Sequence, residues 1–392
     1  MRKQAELFLA SILEEIQTSK IDMGAAYPDH ICYRVATDLE YSQMKEDLSK
    51  IGKLLAEVNV NGRPISTFNL LEPIKYQNIS LDLIELPAPK IGKPYQTGFE
   101  HIEFVIQESF QTFLSRNQLK QHKISGNLNL NPEIQLNIGL KSGQVKLHYQ
   151  SLNRIIQIEE SKIKDIFFDL DGTLIDSRQT IYKINQKVFS QVLNREVTMI
   201  EIQEKFETEF KKLFHLFGVD EVHLQQKALK LWGQIALDYS YDLFVDALDS
   251  LNKLKLAGFR LHIWTARDTE STYQILKSHD MNHLFETINS NDGLTSKPNS
   301  QNLKFDYMNL DPNSFIMVGD SKTDMMASRN IQAISVAALW DPYIDLDSVI
   351  QAGMDMSFNS LNDLASWLIK NHAKTAESMN QNAHVESCQI GE

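Results

Sequence analysis

The stretch Asp165-Ile-Phe-Phe-Asp169-Leu-Asp171-Gly-Thr-Leu-Ile-Asp176 decides the fold of the C-terminal half of the chain. It begins with a short apolar run and continues into a turn of acidic and small residues. Such a run is typical of a strand buried on both faces, as in a parallel sheet. Asp169 and Asp171 are two residues apart, so both carboxylates leave the strand end on the same side. Ligands bind at such carboxyl ends in open parallel sheets.

Two further apolar runs lie downstream, at 261–264 and 315–318, and helical patterns occupy the chain between them. Buried strands that alternate with helices predict a parallel sheet covered by helices on both faces. We therefore predict an α/β fold with a Rossmann-like parallel sheet for this half of the chain.

Polar residues follow these apolar runs. Thr265 follows the second run, the segment 319–324 (Gly-Asp-Ser-Lys-Thr-Asp) follows the third, and Lys297 lies before the third. The turn at Asp169, taken alone, is as typical of an ordinary turn rich in Asp and Gly as of a ligand site, and a calcium loop is a further alternative. The EF-hand pattern wants Gly at its sixth position, which is Leu174 here. All four fragments in this order favour a phosphate site.

These four fragments resemble the motifs of the haloacid dehalogenase superfamily, in particular its phosphoglycolate-phosphatase-like members, over residues 163–370. The fragments are Asp169-Leu-Asp171-Gly-Thr, Thr265, Lys297 and Gly319-Asp320-Ser-Lys-Thr-Asp324. The resemblance implies that Asp169 is the nucleophile and that Asp171 is the general acid and then the base. It also implies that Thr265 and Lys297 hold the phosphate group.

The resemblance further implies one Mg²⁺, bound by the side chains of Asp169, Asp320 and Asp324 and by the backbone carbonyl of Asp171. The chemistry asks for these residue types. A carboxylate that attacks phosphorus forms an acyl phosphate, which water splits later, so one difficult step becomes two easier ones. Clustered carboxylates repel a phosphate dianion, and Mg²⁺ and Lys297 supply the compensating positive charge.

Asp171 distinguishes between reaction types. A phosphatase needs an acid that protonates the leaving alcohol, whereas a dehalogenase does not, so Asp171 favours phosphate-ester hydrolysis. A phosphomutase would keep the same residues and stays an alternative.

The chain between Asp171 and Thr265 is much longer than a crossover helix requires, and it carries several helical patterns. It resembles the helical cap that this superfamily inserts after its first motif, and we place this cap at residues 177–241. A lid over the site favours a small phosphorylated metabolite as the substrate. Arg178 and Arg267 lie beside the site, without an assigned catalytic role.

The N-terminal part, residues 1–152, predicts a preceding α+β domain. An amphipathic helix is expected at its start, followed by strand-like runs with turn signals between them. Helices are expected at about 38–55 and 108–119. The order strand, helix, three strands occurs twice, with Gly98 at the join, so we predict paired βαβββ units. A charged segment at 155–164 separates the two domains.

A second metal site is a hypothesis for this domain. Four residues in its strand-like runs carry nitrogen or oxygen ligands: His30, Glu85, His101 and His148. Such ligands suit zinc, iron, manganese or nickel. Glu103 competes with Glu85 for the role of the carboxylate ligand, because alternation places it on the strand face of His101.

The segments that carry these four residues, together with 60–65, resemble the YecM-like family, a branch of the glyoxalase or vicinal-oxygen-chelate fold. This resemblance covers residues 1–152 and implies a metal-binding domain without naming a reaction. Arg34 and Arg63 are candidates for binding an anionic substrate or for pairing with surface acids.

Composition limits the partners. A formal charge of −12 disfavours nucleic acid as a partner. The two cysteines, Cys32 and Cys388, lie far apart, which argues against a disulfide framework and fits a reducing compartment. No run of about 18 apolar residues is present, so we expect a cytoplasmic protein without a membrane partner. The polar segment 371–392 is expected to be disordered. The oligomeric state is not readable from the sequence.

The leading hypothesis is a magnesium-dependent phosphatase that hydrolyses a small phosphomonoester through an aspartyl phosphate, fused to a metal-binding domain. Two alternatives stay open. One is a bifunctional enzyme whose N-terminal domain performs an isomerase, lyase or dioxygenase reaction. The other is a regulatory protein whose N-terminal domain senses a small ligand.

Overall fold

A computed structural model describes residues 1–371 except 61, 121, 137–140, 208–209, 292–296, 301–302 and 309. The chain divides into two compact units, one from Met1 to Glu160 and one from Ser161 onward. Within these described ranges, no helix combines the length and the apolar character that a membrane crossing requires. Residue 371 is helical, and the rest of the predicted C-terminal tail lies outside the described residues.

The first unit consists of these elements in chain order: α1 (Arg2–Thr18), β1 (Tyr27–Arg34), α2 (Asp38–Ser49), β2 (Gly52–Val60), β3 (Arg63–Tyr76), β4 (Ile79–Pro87), β5 (Gly98–Val105), α3 (Phe110–Arg116), β6 (Ile124–Asn127), β7 (Asn131–Gln135), β8 (Gln144–His148) and α4 (Leu152–Glu159). From β1 to β8 this is the order βαβββ repeated, so the predicted pair of units is confirmed. The sheet order is β2-β3-β4-β1-β5-β8-β7-β6. The first strands of the two units, β1 and β5, therefore lie side by side.

The boundaries differ from the sequence-based ones in two places. Helix α2 ends at Ser49, because Gly52 and Leu54 pair with strand β3 and sheet pairing prevails over the helical spacing of the apolar residues. Leu55, predicted in this helix, therefore lies in β2. Helix α4 caps the first unit through its buried Ile155, Ile156 and Ile158, so this unit continues past residue 152 to residue 160.

The second unit consists of these elements: β9 (Asp165–Phe168), β10 (Ile175–Asp176), α5 (Arg178–Leu193), α6 (Met199–Glu204), α7 (Phe210–Leu216), α8 (Val222–Ala236), β11 (Asp242–Leu243), α9 (Ala247–Leu256), β12 (Arg260–Asp268), α10 (Thr269–Ser278), β13 (Phe285–Asn291), β14 (Phe315–Gly319), α11 (Lys322–Asn330), β15 (Ile334–Ala338), α12 (Leu346–Gln351) and β16 (Met356–Phe358). Residues 361–371 are helical.

The predicted parallel sheet is confirmed, with the order β13-β12-β9-β14-β15-β16 and parallel pairing throughout. Strand β9 lies between β12 and β14, because Ile166 pairs with Leu261 on one side and with Ile316 on the other. The carboxyl ends of β9, β12 and β14 therefore meet at one edge. The insertion between β10 and β11 contains helices α5 to α8.

A cluster of buried side chains around Phe167 holds this sheet to its neighbouring segments. The Phe167 ring stacks on His262 with a centroid distance of 4.6 Å and contacts Phe305 edge-on at 4.9 Å. Trp264 and Phe315, from the two flanking strands, are buried in the same cluster. This packing fixes the strand whose end carries Asp169.

We predict that Phe167→Ala lowers the free energy of unfolding by about 3–5 kcal/mol, because the completely buried ring leaves a cavity. Leu256→Ala is the control, since Leu256 is 89% exposed and its replacement is expected to change this free energy by less than about 0.5 kcal/mol. Urea denaturation of both variants measures the difference. Equal midpoints for the two variants would contradict the role of this cluster.

Candidate functional site

The turn after β9 places two carboxylates at the carboxyl edge of the sheet. The backbone N–H of Asp169 donates to the carbonyl of Val318, which keeps this residue in line with β14. Gly172 then adopts a positive φ of 74°, and a Cβ at this position would collide with the Asp320 carboxylate. Glycine is required here both for the backbone conformation and for the close approach of Asp320.

Lys297 joins two of the predicted site residues. Its Nζ lies 2.6 Å from Oδ1 of Asp169 and 2.5 Å from Oδ1 of Asp324, and its side chain is almost completely buried. Asp324 is in turn fixed at the start of α11, where its carboxylate and Ser321 form a capping box. The turn after β9, the loop of Lys297 and the start of α11 are thus joined by one buried ion-pair network.

Asp169, Asp320 and Asp324 form a buried group that can hold a cation. One oxygen atom of each lies within 4.8 Å of those of the other two. Burial, with the neighbouring carboxylates, raises the pKa of Asp169 to about 7, although Lys297 acts in the opposite direction. Burial and the carboxylates of Asp324 and Asp169 likewise raise the pKa of Asp320. The positive charge around these carboxylates is therefore too small to compensate their negative charge. Their oxygen atoms are ligands that fit Mg²⁺.

Thr265 lies on β12, and its hydroxyl accepts a hydrogen bond from the backbone N–H of Arg267 at 3.2 Å. Together with Asp169, Asp171 and Lys297 it lines a cavity of about 100 Å³. The structure therefore brings all the sequence-predicted catalytic residues to one cavity. The apolar part of its wall comes from the insertion and includes Phe206, Phe210 and Trp232.

Arg267 contacts the Asp171 carboxylate, a contact that the sequence alone did not predict. Its Nε lies 2.9 Å from Oδ2 of Asp171, and its Nη2 lies 2.5 Å from Oδ1, so the pair is bidentate. Its guanidinium also contacts two aromatic rings, at 4.4 Å from the centroid of Tyr241 and 5.1 Å from that of Trp232. Burial alone would raise the pKa of Asp171, but Arg267 outweighs it, and the pKa is lowered. The sequence offered one signal for this contact, a cationic residue two positions after Thr265.

Arg178, at the start of α5, also lines the cavity. Its Nη2 lies 3.1 Å from Asp320 and 3.3 Å from Asp341, both buried. The guanidinium lies 4.6 Å from the centroid of the Phe206 ring. Arg178 therefore supplies positive charge on the Asp320 side of the carboxylate group, as Lys297 does on the Asp169 side.

In the first unit, three imidazoles surround one buried carboxylate, that of Glu103. The Nε2 atoms lie 3.7 Å (His30), 3.1 Å (His101) and 3.8 Å (His148) from a Glu103 oxygen. Burial alone would raise the pKa of Glu103, but His30 and Lys146 outweigh it, and the pKa is lowered well below its usual range. The Lys146 ammonium lies 3.0 Å from the same carboxylate.

Glu85, the other predicted carboxylate, lies at the edge of this group, with 3.8 Å between its Oε2 and Nε2 of His101. The structure thus brings the four predicted residues together and places Glu103 at their centre. Burial lowers the pKa of His148, which keeps its imidazole neutral, the form that binds metals. Among the described residues, no hydrogen-bond partner is present for Nε2 of His148.

The Nδ1 atoms of His30 and His101 contact further carboxylates. Nδ1 of His30 lies 2.8 Å from Asp29, and Nδ1 of His101 lies 3.1 Å from Glu100. This arrangement orients both rings with Nε2 toward the centre of the group, as carboxylates do for metal-binding histidines. The donor set therefore fits a transition metal.

Comparison with known families divides the chain at the same place. Residues 1–159 match the family described as YecM protein. Residues 166–338 match the family described as haloacid dehalogenase-like hydrolase. Both resemblances inferred from the sequence motifs are confirmed.

Three curated relatives illustrate the similarity. A phosphoglycolate phosphatase of Colwellia psychrerythraea is 28% identical over 229 residues, 53% of this chain and 97% of that protein. A putative pyrophosphatase PpaX of Clostridium perfringens is 25% identical over 177 residues, 44% of this chain and 81% of that protein. Protein YecM of Escherichia coli is 33% identical over 88 residues, 22% of this chain and 47% of that protein. The chain therefore carries a segment that matches the YecM family, followed by a segment that matches the haloacid dehalogenase-like hydrolase family, and a phosphatase is among the proteins similar to the second segment.

Proposed function

We propose that the second unit hydrolyses a small phosphomonoester with Mg²⁺ and that Asp169 forms an aspartyl phosphate. The observation that supports this most directly is the convergence of Asp169, Asp171, Thr265 and Lys297 on one small cavity, beside a group of three carboxylates. The proposed domain covers residues 163–370, with its cap at 177–241. The cytoplasmic location stays a prediction.

Asp169 is the proposed nucleophile. Lys297 holds one of its oxygens through a hydrogen bond of 2.6 Å, which orients the carboxylate and compensates its charge. Thr265 and Lys297 are the proposed donors to the phosphate oxygens. Mg²⁺, held by Asp169, Asp320, Asp324 and the backbone carbonyl of Asp171, would neutralise the charge of the phosphate group.

Asp171 is the proposed acid for the leaving oxygen and then the base for the attacking water. Arg267 keeps Asp171 ionised before the substrate binds. A bound phosphate dianion raises the pKa of a neighbouring carboxyl, since like charges favour the neutral form. Arg267 therefore acts as a positioning residue, which holds the carboxylate at the cavity until substrate charge favours its protonation.

The cavity wall supports a small substrate. The insertion contributes aromatic rings to it, among them Trp232, whose Nε1 donates to Asn185 at 3.0 Å. This buried hydrogen bond joins α5 to α8 and stiffens the wall. The two relatives of the second unit named above are a phosphoglycolate phosphatase and a putative pyrophosphatase, so the substrate class we propose is a small phosphorylated metabolite. The net charge of −12 argues against a nucleic-acid substrate.

For the first unit, we propose one transition metal, zinc, iron, manganese or nickel, bound by His30, His101 and His148 with a carboxylate. Glu103 is the preferred carboxylate, because it alone lies within 4 Å of all three imidazoles among the described residues. Glu85 is the alternative. Lys146 neutralises Glu103 where no metal does so.

Asp169→Asn is expected to lower phosphatase turnover about a thousandfold or more, because an amide of nearly the same volume cannot attack phosphorus. The assay measures hydrolysis of a panel of small phosphomonoesters with Mg²⁺. Asp249→Asn, at an exposed residue of α9, is the matched control with unchanged turnover. Substantial activity of Asp169→Asn on every substrate would rule out Asp169 as the nucleophile.

Lys297→Met is expected to destabilise the Mg²⁺-free protein by about 3–5 kcal/mol at pH 8, since it leaves Asp169 and Asp324 buried without a counter-charge. Asp169 has a raised pKa of about 7, and losing Lys297 raises it further. A carboxyl whose pKa is raised in the folded state stabilises that state when it is protonated. The loss of unfolding free energy in Lys297→Met should therefore become smaller as pH falls from 8 to 5.

Urea denaturation at both pH values measures this effect. Lys253→Met removes an exposed ion pair with Asp249 and is expected to cost no more than about 1 kcal/mol at either pH. A pH-independent deficit for Lys297→Met would show that its cause is lost packing and not uncompensated charge.

The metal proposal for the first unit predicts about one bound Zn²⁺ per chain after loading with Zn²⁺. The loading is done in excess Mg²⁺, so that Mg²⁺ and not Zn²⁺ occupies the carboxylate group of the second unit. His101→Ala and Glu103→Gln are expected to weaken binding at least about tenfold, whereas Glu85→Gln has the smaller effect. His223→Ala, at an exposed histidine, is the control. Elemental analysis after dialysis measures the metal content of each protein. Equal metal content in all variants, or no metal in the wild type, would contradict the proposed site.

A further inference from the structure

A row of side chains extends from the histidine group along one face of the first unit's sheet. His30, Cys32 and Arg34 alternate along β1, so their side chains share one face. Cys32 pairs with His101 of β5 and with Glu85 of β4, which places this face in common with the candidate metal ligands. Arg34 therefore lies at the end of the row.

A second arginine approaches the same end from β3. Glu85 pairs with Thr67, and β3 runs antiparallel to β4. Arg63 lies four residues before Thr67, so it shares the face of Glu85 and lies toward the same end of the sheet as Arg34. The sheet register, which joins residues far apart in sequence, thus places both arginines beyond the carboxylate and imidazole ligands.

Arg34 has one donor without a partner. Its Nε donates to Oε2 of Glu100 at 2.5 Å, and its guanidinium lies 5.0 Å from the centroid of the Tyr95 ring. Nη1 is buried and has no hydrogen-bond partner within the described part of the chain. A buried guanidinium nitrogen without an acceptor is costly, since it has lost its water contacts.

Arg63 has the same deficit. Its Nη1 donates to the carbonyl of Ala88 at 2.8 Å, while its buried Nε lacks an acceptor among the described residues. No carboxylate in the described ranges forms an ion pair with it. Burial, and then the charge of Arg34, lower the pKa of Arg63, and burial followed by both arginines lowers that of Lys90. Three cations therefore crowd this end of the sheet.

We propose that Arg34 and Arg63 form a binding subsite for a small oxyanion, a carboxylate or phosphate group, next to the histidine group. An oxyanion supplies acceptors for both unpartnered donors and reduces the repulsion between the two guanidinium groups. Glu100, which accepts from Arg34, also lies 3.1 Å from Nδ1 of His101. Glu100 therefore connects the arginine end of this face with His101, one of the candidate metal ligands.

Calorimetric titration of the full chain with oxalate tests this subsite, with the protein both as purified and after treatment with a chelator. Arg63→Gln is expected to raise the oxalate dissociation constant at least about tenfold, because a charge-assisted hydrogen bond is lost. Arg34→Gln should have a similar effect. Arg2→Gln, at an exposed arginine of the same unit, is the control and should bind as the wild type does. Titration with inorganic phosphate in place of oxalate tells which oxyanion is preferred.

Because Arg34 also binds Glu100, the unfolding midpoint of Arg34→Gln is measured alongside its oxalate affinity. If Arg34→Gln does not fold, the test depends on Arg63→Gln. A second measurement needs no variant: oxalate should protect Arg63 of the wild-type protein from phenylglyoxal, as measured by peptide mass spectrometry. Unchanged affinity in Arg63→Gln, no binding by the wild type, or equal labelling with and without oxalate would overturn the proposal. Arginine-dependent oxalate binding after chelator treatment would support the arginine subsite without the metal, so the subsite and the metal proposal can fail separately.

Discussion

The buried ammonium of Lys297 is the interaction on which the second unit depends. It connects the nucleophile candidate Asp169 with Asp324 of α11, across three segments that are distant in sequence. Carboxylates gathered at one sheet edge repel each other, and burial strengthens this repulsion because water no longer screens it. Lys297 on one side and Arg178 on the other make the arrangement compatible with folding. The remaining deficit of positive charge suits a magnesium ion, whose charge in turn would compensate that of a phosphate group.

Arg267 connects this charged edge with the insertion that covers it. Its guanidinium lies between Asp171 and the rings of Trp232 and Tyr241, so one side chain contacts both the acid candidate and the cavity wall. The guanidinium therefore links the acid candidate to the aromatic wall of the cavity through static contacts with both.

In the first unit the charges are arranged in the opposite way, with a carboxylate at the centre and not a cation. There, a single carboxylate, Glu103, is surrounded by imidazoles and Lys146, so positive and polar groups enclose a negative centre. Duplication of the βαβββ unit explains how these groups meet. It places β1 and β5 side by side at the centre of the sheet, and β8 next to β5, so His30, His101 and His148 come from adjacent strands.

The sequence was sufficient for the parallel sheet and for the four groups at its edge, because a buried strand requires an unbroken apolar run and its polar ends stand out against it. It was also sufficient for the duplicated strand order. It could not choose between Glu85 and Glu103, since alternation places both on a usable face, and only the register of β5 between β1 and β8 puts Glu103 among all three imidazoles. It could not assign Arg267, because a lone arginine after a strand is usually solvated, and its partners come from positions far away along the chain. The end of α2 was likewise set by pairing with β3, a long-range contact that local helical spacing does not contain.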